Sequence, residues 1–207
     1  MTQPPSARDL WEQRFAEDRY FFGTEPNAFV AATVARLPRG RALCLAEGEG
    51  RNAVHLAEAG YEVSSVDLTE AGVAKTRRLA AERGVEVDAQ VGDLATFHLG
   101  AEAWDLVVSS FAHVPPAVRR RVHAQLATAL RPGGALVLEA YTPDQIGRGT
   151  GGPPVPELTM TLAALREELA GLDLVHAAEL ERPVLEGNGH TGLGAVVQVI
   201  AVRRADD

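Results

Sequence analysis

The sequence predicts an α/β fold in which a doubly wound, mostly parallel sheet of seven strands ends in an antiparallel hairpin. Three observations carry this reading. Strand-length apolar runs alternate with helix-period segments from about residue 41 to residue 141, the pattern of parallel strands joined by crossover helices. The first run, Ala42-Leu43-Cys44-Leu45, breaks into Gly48-Glu49-Gly50 and passes at once into a helical pattern through Ala53, Leu56 and Ala57. The last two extended runs flank Gly187-Asn188-Gly189-His190, which reads as a hairpin turn.

Taken in order, Ser6 and Asp9 are spaced as a capping start for a short helix through Trp11 and Phe15, and Phe22 to Asn27 form a turn feeding a second helix to about Leu37. Alternation then runs as strand 41–46, helix 52–59 closed by Gly60, strand 62–67, helix 70–83 closed by Gly84, and strand 86–91. Strand 104–109, helix 116–130 and strand 135–141 follow, the last after Pro132-Gly133-Gly134. Beyond a loop rich in glycine and proline, a helix at about 161–170 leads into extended segments 174–185 and 191–203. The order specifies a Rossmann-like sheet finished by a hairpin.

A chain of 207 residues with 46% hydrophobic composition has room for one three-layer core and not for two enzyme domains, so a single domain over 1–207 is expected. Residues 1–37 form its N-terminal helical segment and 38–207 its core. The net charge of −8 and a pI near 5.3 oppose contact with phosphate backbones or anionic lipid, so neither nucleic acid nor membrane is an expected partner. Arg119-Arg120-Arg121, the one dense basic run, reads as a solvated helix face. No stretch has 18 consecutive apolar residues and no basic-apolar leader opens the chain, so a cytoplasmic protein is expected. The single cysteine, Cys44, excludes an internal disulfide and a cysteine-based zinc cluster; no metal is expected.

The glycines at 48 and 50 let backbone approach a ligand closely, and the following helix start offers free N–H groups, so a nucleotide-like cofactor is the natural occupant. Asp67, ending the second strand, sits where an acid holds a ribose diol; this serves a dinucleotide equally well. A dehydrogenase, however, needs further room for a nicotinamide half and a substrate domain. Three later segments fit a single adenosine-sized site: Gly92-Asp93-Leu94, Trp104 to Phe111, and Leu130-Arg131-Pro132-Gly133-Gly134.

These segments, in this order and spacing, resemble a class I S-adenosylmethionine-dependent methyltransferase over nearly the whole chain. Phe22 to Asn27, Leu45 to Ala53, and Glu186-Gly187 through His190-Thr191-Gly192 are similar to a small bacterial group related to tellurite-resistance and thiopurine methyltransferases. The resemblance implies S-adenosyl-L-methionine as cofactor, with Gly48 and Gly50 under its methionine portion. It also implies Asp67 on the ribose hydroxyls, Leu68 against the adenine, Asp93 at the adenine amino group and the Leu94 N–H at a ring nitrogen. Ser109 and Phe111 would line the site. This sequence departs from the family pattern at Cys44 and Ala46, where an acid and the first loop glycine are usual. Glu47 is the candidate replacement for that acid, the alternative for Glu47 or Glu49 being a solvated loop residue. Arg51 and Asn52 either contact the cofactor or simply start the helix. Trp11, Tyr20 and Phe22 either form a lid, whose aromatic faces favour a cation, or pack beneath the sheet.

Methyl transfer from a sulfonium is an in-line displacement that mainly demands alignment in a dry site. A base helps an alcohol much and a thiol, with a pKa of about 8.5, little. The candidate bases are His113, just past the fourth strand, and His190 in the hairpin turn; Arg182 and Glu186 either reach the same mouth or are solvated cross-strand pairs. The expected function is methylation of a small-molecule nucleophile such as a thiol or chalcogen oxyanion. The alternatives are a non-catalytic sensor of the same cofactor and a nicotinamide-dependent dehydrogenase. No oligomeric state is implied.

Overall fold

Capping, periodicity and turn chemistry set the local elements of the chain, whose computed structural model describes residues 6–205. Helix α1 (Ala7–Phe15) opens on a reciprocal Ser6–Asp9 capping box, and α2 (Ala28–Val34) on Asn27, whose side chain accepts the Val30 N–H. Strand β1 (Arg41–Leu45), helix α3 (Arg51–Glu58), strand β2 (Glu62–Asp67), helix α4 (Glu70–Arg83) and strand β3 (Asp88–Val91) follow. Helix α4 stops at Gly84 in the left-handed conformation. Next come β4 (Trp104–Ser110), α5 (Pro116–Ala129), β5 (Leu130–Tyr141), α6 (Leu162–Glu168), β6 (Asp173–Glu186) and β7 (His190–Val202).

The seven strands lie in the order β3-β2-β1-β4-β5-β7-β6. The first five pair in parallel, and β7 runs antiparallel between β5 and β6. The predicted sheet is thus observed, with two corrections. Strand β5 begins at Leu130, directly after α5, because Leu130 pairs with Trp104 before a register shift carries the chain past Pro132-Gly133-Gly134. His190 is the first residue of β7, paired with Glu186, so the hairpin turn is only Gly187-Asn188-Gly189.

Both faces of the central strands β1, β4 and β5 are buried, as their continuous apolar runs require, while the edge strands β3 and β6 are largely exposed. Leu43, Leu45, Val107, Leu136 and Leu138 pack with Val122 and Leu126 of α5 and Leu165 of α6. Ala42, Cys44, Leu106, Val108 and Val137 pack with Val30 and Val34 of α2 and Ala53 and Leu56 of α3. Cys44 is fully buried, and burial holds its thiol well above the usual pKa, so it is an inert core residue. Arg119 and Arg121 do not form a solvated face. Arg119 is buried in a paired contact with Glu168, and Arg121 donates to the carbonyls of Leu94 and Phe97. No helix among the described residues is long and apolar enough to cross a membrane.

Candidate active site

The chain leaves β1 through Ala46, whose φ of +48° is the left-handed conformation that the more usual glycine would adopt without strain. Gly48 and Gly50 continue the turn with φ of +67° and +98°, and a Cβ on Gly50 would stand 2.7 Å from Thr76 Cα, so glycine is required for the loop to lie against α4. The Gly48 N–H donates to Asp67 Oδ2 at 2.8 Å, while Asp67 Oδ1 accepts from the Thr69 N–H and hydroxyl. Asp67 is 8% exposed, and burial raises its pKa against these three bonds. It therefore fastens the loop as well as presenting an acid at the end of β2.

Glu47 lies across the start of α3, its Oε1 accepting the Asn52 and Ala53 N–H groups at 2.7 and 2.8 Å. Burial pushes its pKa up to about 7, against those two bonds and the Arg51 charge. Glu49 is not solvated. Its carboxylate is buried, takes the Lys75 ammonium at 2.7 Å and accepts the Phe21 and Phe22 N–H groups, clamping the N-terminal segment onto the loop. Leu68 is half-buried beyond β2. Asp93 is exposed and its Oδ1 accepts the Ala95 N–H at 2.8 Å, fixing the turn after β3. Leu94, Leu45 and Ser109 line one narrow cleft together with Ala112 and Met160.

The expected lid residues separate into two groups. Phe15 of α1 sits over Gly48, whose Cβ position lies 3.2 Å from the ring, and Glu12 accepts the Glu70 and Ala71 N–H groups at the start of α4. Trp11 stacks between this helix and Phe22, with ring centroids 5.3 Å from Phe15 and 6.2 Å from Phe22. Phe22 in turn reaches His190 at 4.8 Å. Tyr20 does not join them: its hydroxyl accepts from Arg78 and its ring lies under Lys75 and Arg78 on α4.

His190 is the centre of the second half of the site. Its ring is 4% exposed, between Phe22, Phe111 at 4.5 Å and Tyr141 at 5.2 Å. Phe111 adopts a φ of +53°, an outlier for an aromatic residue, and is held there by its N–H bond to the Glu139 carbonyl at 2.7 Å. His190 Nδ1 meets Glu186 Oε2 at 2.7 Å, and the same oxygen takes Arg51 Nη2 at 2.8 Å. Burial alone raises the Glu186 pKa, but the His190 hydrogen bond and the Arg51 charge outweigh it and hold the acid down at about 2. With Nδ1 against Glu186, Nε2 is the ring nitrogen without a hydrogen-bond partner among the described residues. Arg182 and Glu186 are therefore not solvated pairs: Arg182 Nε donates to the fully buried Glu139 at 2.8 Å, and Asn27 Nδ2 bridges Glu139 and Glu186. Asn52 Oδ1 accepts the Asn27 N–H at 2.9 Å.

His113 lies at the expected edge but is fully engaged. Its Nδ1 faces the Leu158 carbonyl at 2.8 Å and its Nε2 the Tyr141 N–H at 3.3 Å, both satisfied by one neutral tautomer. Burial lowers its pKa to about 4. Glu139, Asn27, Tyr141 and Glu49 are the residues the sequence reading missed. An acid inside the apolar run 135–141 was the one available signal.

Two of the shifted groups, Glu47 and His113, predict opposed pH slopes. Glu47, raised from 4.5 to about 7, costs stability as pH rises through that window, because only the unfolded chain ionises there. His113, lowered from 6.5 to about 4, costs stability as pH falls through its window, because only the unfolded chain protonates. Between 4.5 and 6.5 the two slopes oppose. Glu47→Gln keeps an oxygen for the α3 N–H groups and removes one slope, so the unfolding free energy of the variant, from denaturant titration, should fall on acidification by about 1.4 kcal/mol per pH unit more than wild type. Parallel profiles for the two proteins contradict the Glu47 assignment.

Residues 42–134 match the sequence model of a family described as a methyltransferase domain. No curated protein matches the chain. Among solved structures, one described under the conversion of a disulfide bond into a thioacetal group during echinomycin biosynthesis has 21% identity and a TM-score of 0.73. That match covers 98% of this chain and 93% of the other. TehB from Haemophilus influenzae has 18% identity and a TM-score of 0.72, with 94% and 67% covered. An S-adenosylmethionine-dependent methyltransferase from Mesorhizobium loti has 21% identity and a TM-score of 0.62, with 83% and 96% covered. The resemblance to a methyltransferase domain spans residues 42–134, the solved structures share the fold, and S-adenosylmethionine is the cofactor named for the last of them. The donor set fits it: a close-approach glycine loop, an acid ending β2 and another just past β3, and an apolar residue, Leu68 or Leu94, directly after each.

Proposed function

We propose that the protein is an S-adenosylmethionine-dependent methyltransferase acting on a small-molecule nucleophile, with a thiol the favoured acceptor. The observation that carries this reading is a direct link between the two halves of the site. Arg51, the residue after the Gly48–Gly50 loop, bonds Glu186, and Glu186 bonds His190. Cofactor loop and candidate base are thereby fixed to each other at the carboxyl edge of the sheet, where open α/β sheets place ligands.

When bound, S-adenosylmethionine supplies a methyl group activated on a sulfonium. Asp67 and Asp93 would hold its ribose hydroxyls and adenine amino group, Leu68 and Leu94 would cover the base, and Glu47 would take the methionine ammonium. Ser109 and Phe111 line the site, and Phe22, Phe111 and Trp11 exclude water and favour positive charge. His190 Nε2 takes the acceptor's proton, and Glu186 stabilises the imidazolium that forms. His113, with both ring nitrogens engaged, holds the end of β5 in place instead. The related fold described under disulfide conversion supports sulfur as the acceptor atom. The net charge of −8 supports a small acceptor over nucleic acid or an anionic membrane.

The test is calorimetry and thermal unfolding with S-adenosylmethionine, S-adenosylhomocysteine and NAD, followed by assay of S-adenosylhomocysteine release with a panel of thiols and oxyanions. At a hundred times its dissociation constant the cofactor should add about 2.7 kcal/mol of stability, readable as a shift in Tm. Stabilisation by NAD alone overturns the reading. Cofactor binding with no release on any acceptor replaces it with a sensor.

A further inference from the structure

Three buried side-chain atoms on the α2/α3 side of the sheet make no hydrogen bond among the described residues: Arg51 Nη1, Tyr141 Oη and Ser110 Oγ. Arg51 is 7% exposed and Tyr141 fully buried. Two of them flank His190, and the third lies on the same face of the sheet. Arg51 shares Glu186 with His190, and the Tyr141 ring stands edge-on to it at 5.2 Å. Ser110 pairs with Glu139, two residues before Tyr141 on the same face of β5, so its side chain points the same way.

Nearly all buried polar atoms have a hydrogen-bond partner and each orphan is costly, so three on one side of the sheet, two of them beside His190, call for a partner. The chemistry of that partner follows from what the atoms offer. Arginine only donates. Burial and the nearby Glu186 and Glu139 push the Tyr141 pKa well up, so the phenol stays protonated and donates as well. The carboxylates of the compartment are already committed. Glu139 is held by Arg182, Gln198 and Asn27, and Glu186 by Arg51, His190 and Asn27. Two arginines match two glutamates, so an entering anion meets no net repulsion and only unused donors.

We propose that Arg51 Nη1, Tyr141 Oη and Ser110 Oγ anchor a carboxylate or like oxyanion of the acceptor, so that the acceptor is a small anionic thiol whose sulfur end faces His190. The anchor deepens the methyl-transfer reading and rests on it for the word acceptor; its own test reads binding.

Mercaptoacetate, 2-mercaptoethanol and cysteamine share a thiol and differ in charge at the far end. Titrated into protein saturated with S-adenosylhomocysteine, mercaptoacetate should bind at least about tenfold more tightly than 2-mercaptoethanol, with cysteamine weakest. Tyr141→Phe removes only an unpartnered hydroxyl, so the variant should melt no lower than wild type and bind mercaptoacetate about tenfold more weakly, with 2-mercaptoethanol unchanged. Arg51→Lys, which keeps charge near Glu186 but lacks the second N–H, should show the same selective loss. Equal binding of the three thiols, or mercaptoacetate affinity indifferent to Tyr141→Phe, overturns the anchor. Release of S-adenosylhomocysteine is followed in parallel. Selective binding without release supports the anchor and removes the methyl-transfer reading, whereas release with unselective binding does the reverse.

Discussion

Alanine in place of His190 is expected to lower turnover about 10²–10⁴-fold, the range a positioned base contributes, while cofactor affinity stays nearly unchanged. The expectation rests on which ring nitrogen is engaged. Glu186 is bonded to Nδ1 at 2.7 Å, so Nε2 is the nitrogen left to receive the acceptor's proton. Glu186→Gln keeps the side chain's size but loses the charge that stabilises the imidazolium, so it should lose part of the same activity. The acceptor's acidity separates base from spacer. A thiol with a pKa of about 8.5 ionises without help in alkaline medium, so a base deficit shrinks as pH passes that value, whereas a positioning deficit persists. A His190→Ala enzyme with full turnover on every acceptor that wild type methylates removes His190 from the chemistry. His113→Ala belongs to a different class of change. It strips partners from the Leu158 carbonyl and the Tyr141 N–H, so its main cost falls on stability.

The fold was legible because its signals are local. The strand-length apolar runs, the period near four in the helices, the Ser6–Asp9 box and the glycine stops at Gly60 and Gly84 each act within a few residues, and their alternation specifies a doubly wound, mostly parallel sheet. The glycine loop at the carboxyl edge was legible for the same reason: Gly48, Gly50 and Asp67 belong to one strand-loop-helix-strand unit. The acceptor side was not. Asn27 meets Glu139 and Glu186 across 112 and 159 residues of sequence, and nothing near any of the three announces the others. His113 shows the limit from the other direction. It sits at the edge the topology predicts, yet the carbonyl and amide that occupy its two nitrogens come from distant segments, and only their arrival decides that it is structural. His190 looked like a turn residue because the glycines around Asn188 extend the turn signal; its pairing with Glu186 across the hairpin places it inside the barrier of aromatic rings instead.

Asp67→Ala is expected to weaken S-adenosylmethionine and S-adenosylhomocysteine at least about tenfold, because charge-assisted hydrogen bonds of about 1.5–3 kcal/mol each are lost, partly offset by water. The structure adds a second effect. Asp67 also accepts the Gly48 and Thr69 N–H groups and the Thr69 hydroxyl, so alanine loosens the loop and the start of α4 and should lower stability by about 1–3 kcal/mol. Affinity lost through a loosened loop and affinity lost through the ribose diol are distinguishable with a ligand that lacks one hydroxyl. The 2′-deoxy analogue of S-adenosylhomocysteine should bind wild type more weakly than the parent compound, and the Asp67→Ala variant about equally to it, since the partner of the missing hydroxyl is already gone. Asp67→Asn, which retains an oxygen for Thr69, should fall between the two in stability while losing the charge. An identical penalty for the missing hydroxyl in wild type and in Asp67→Ala means that the carboxylate never touches the diol, and that its whole contribution is to hold the Gly48 loop closed.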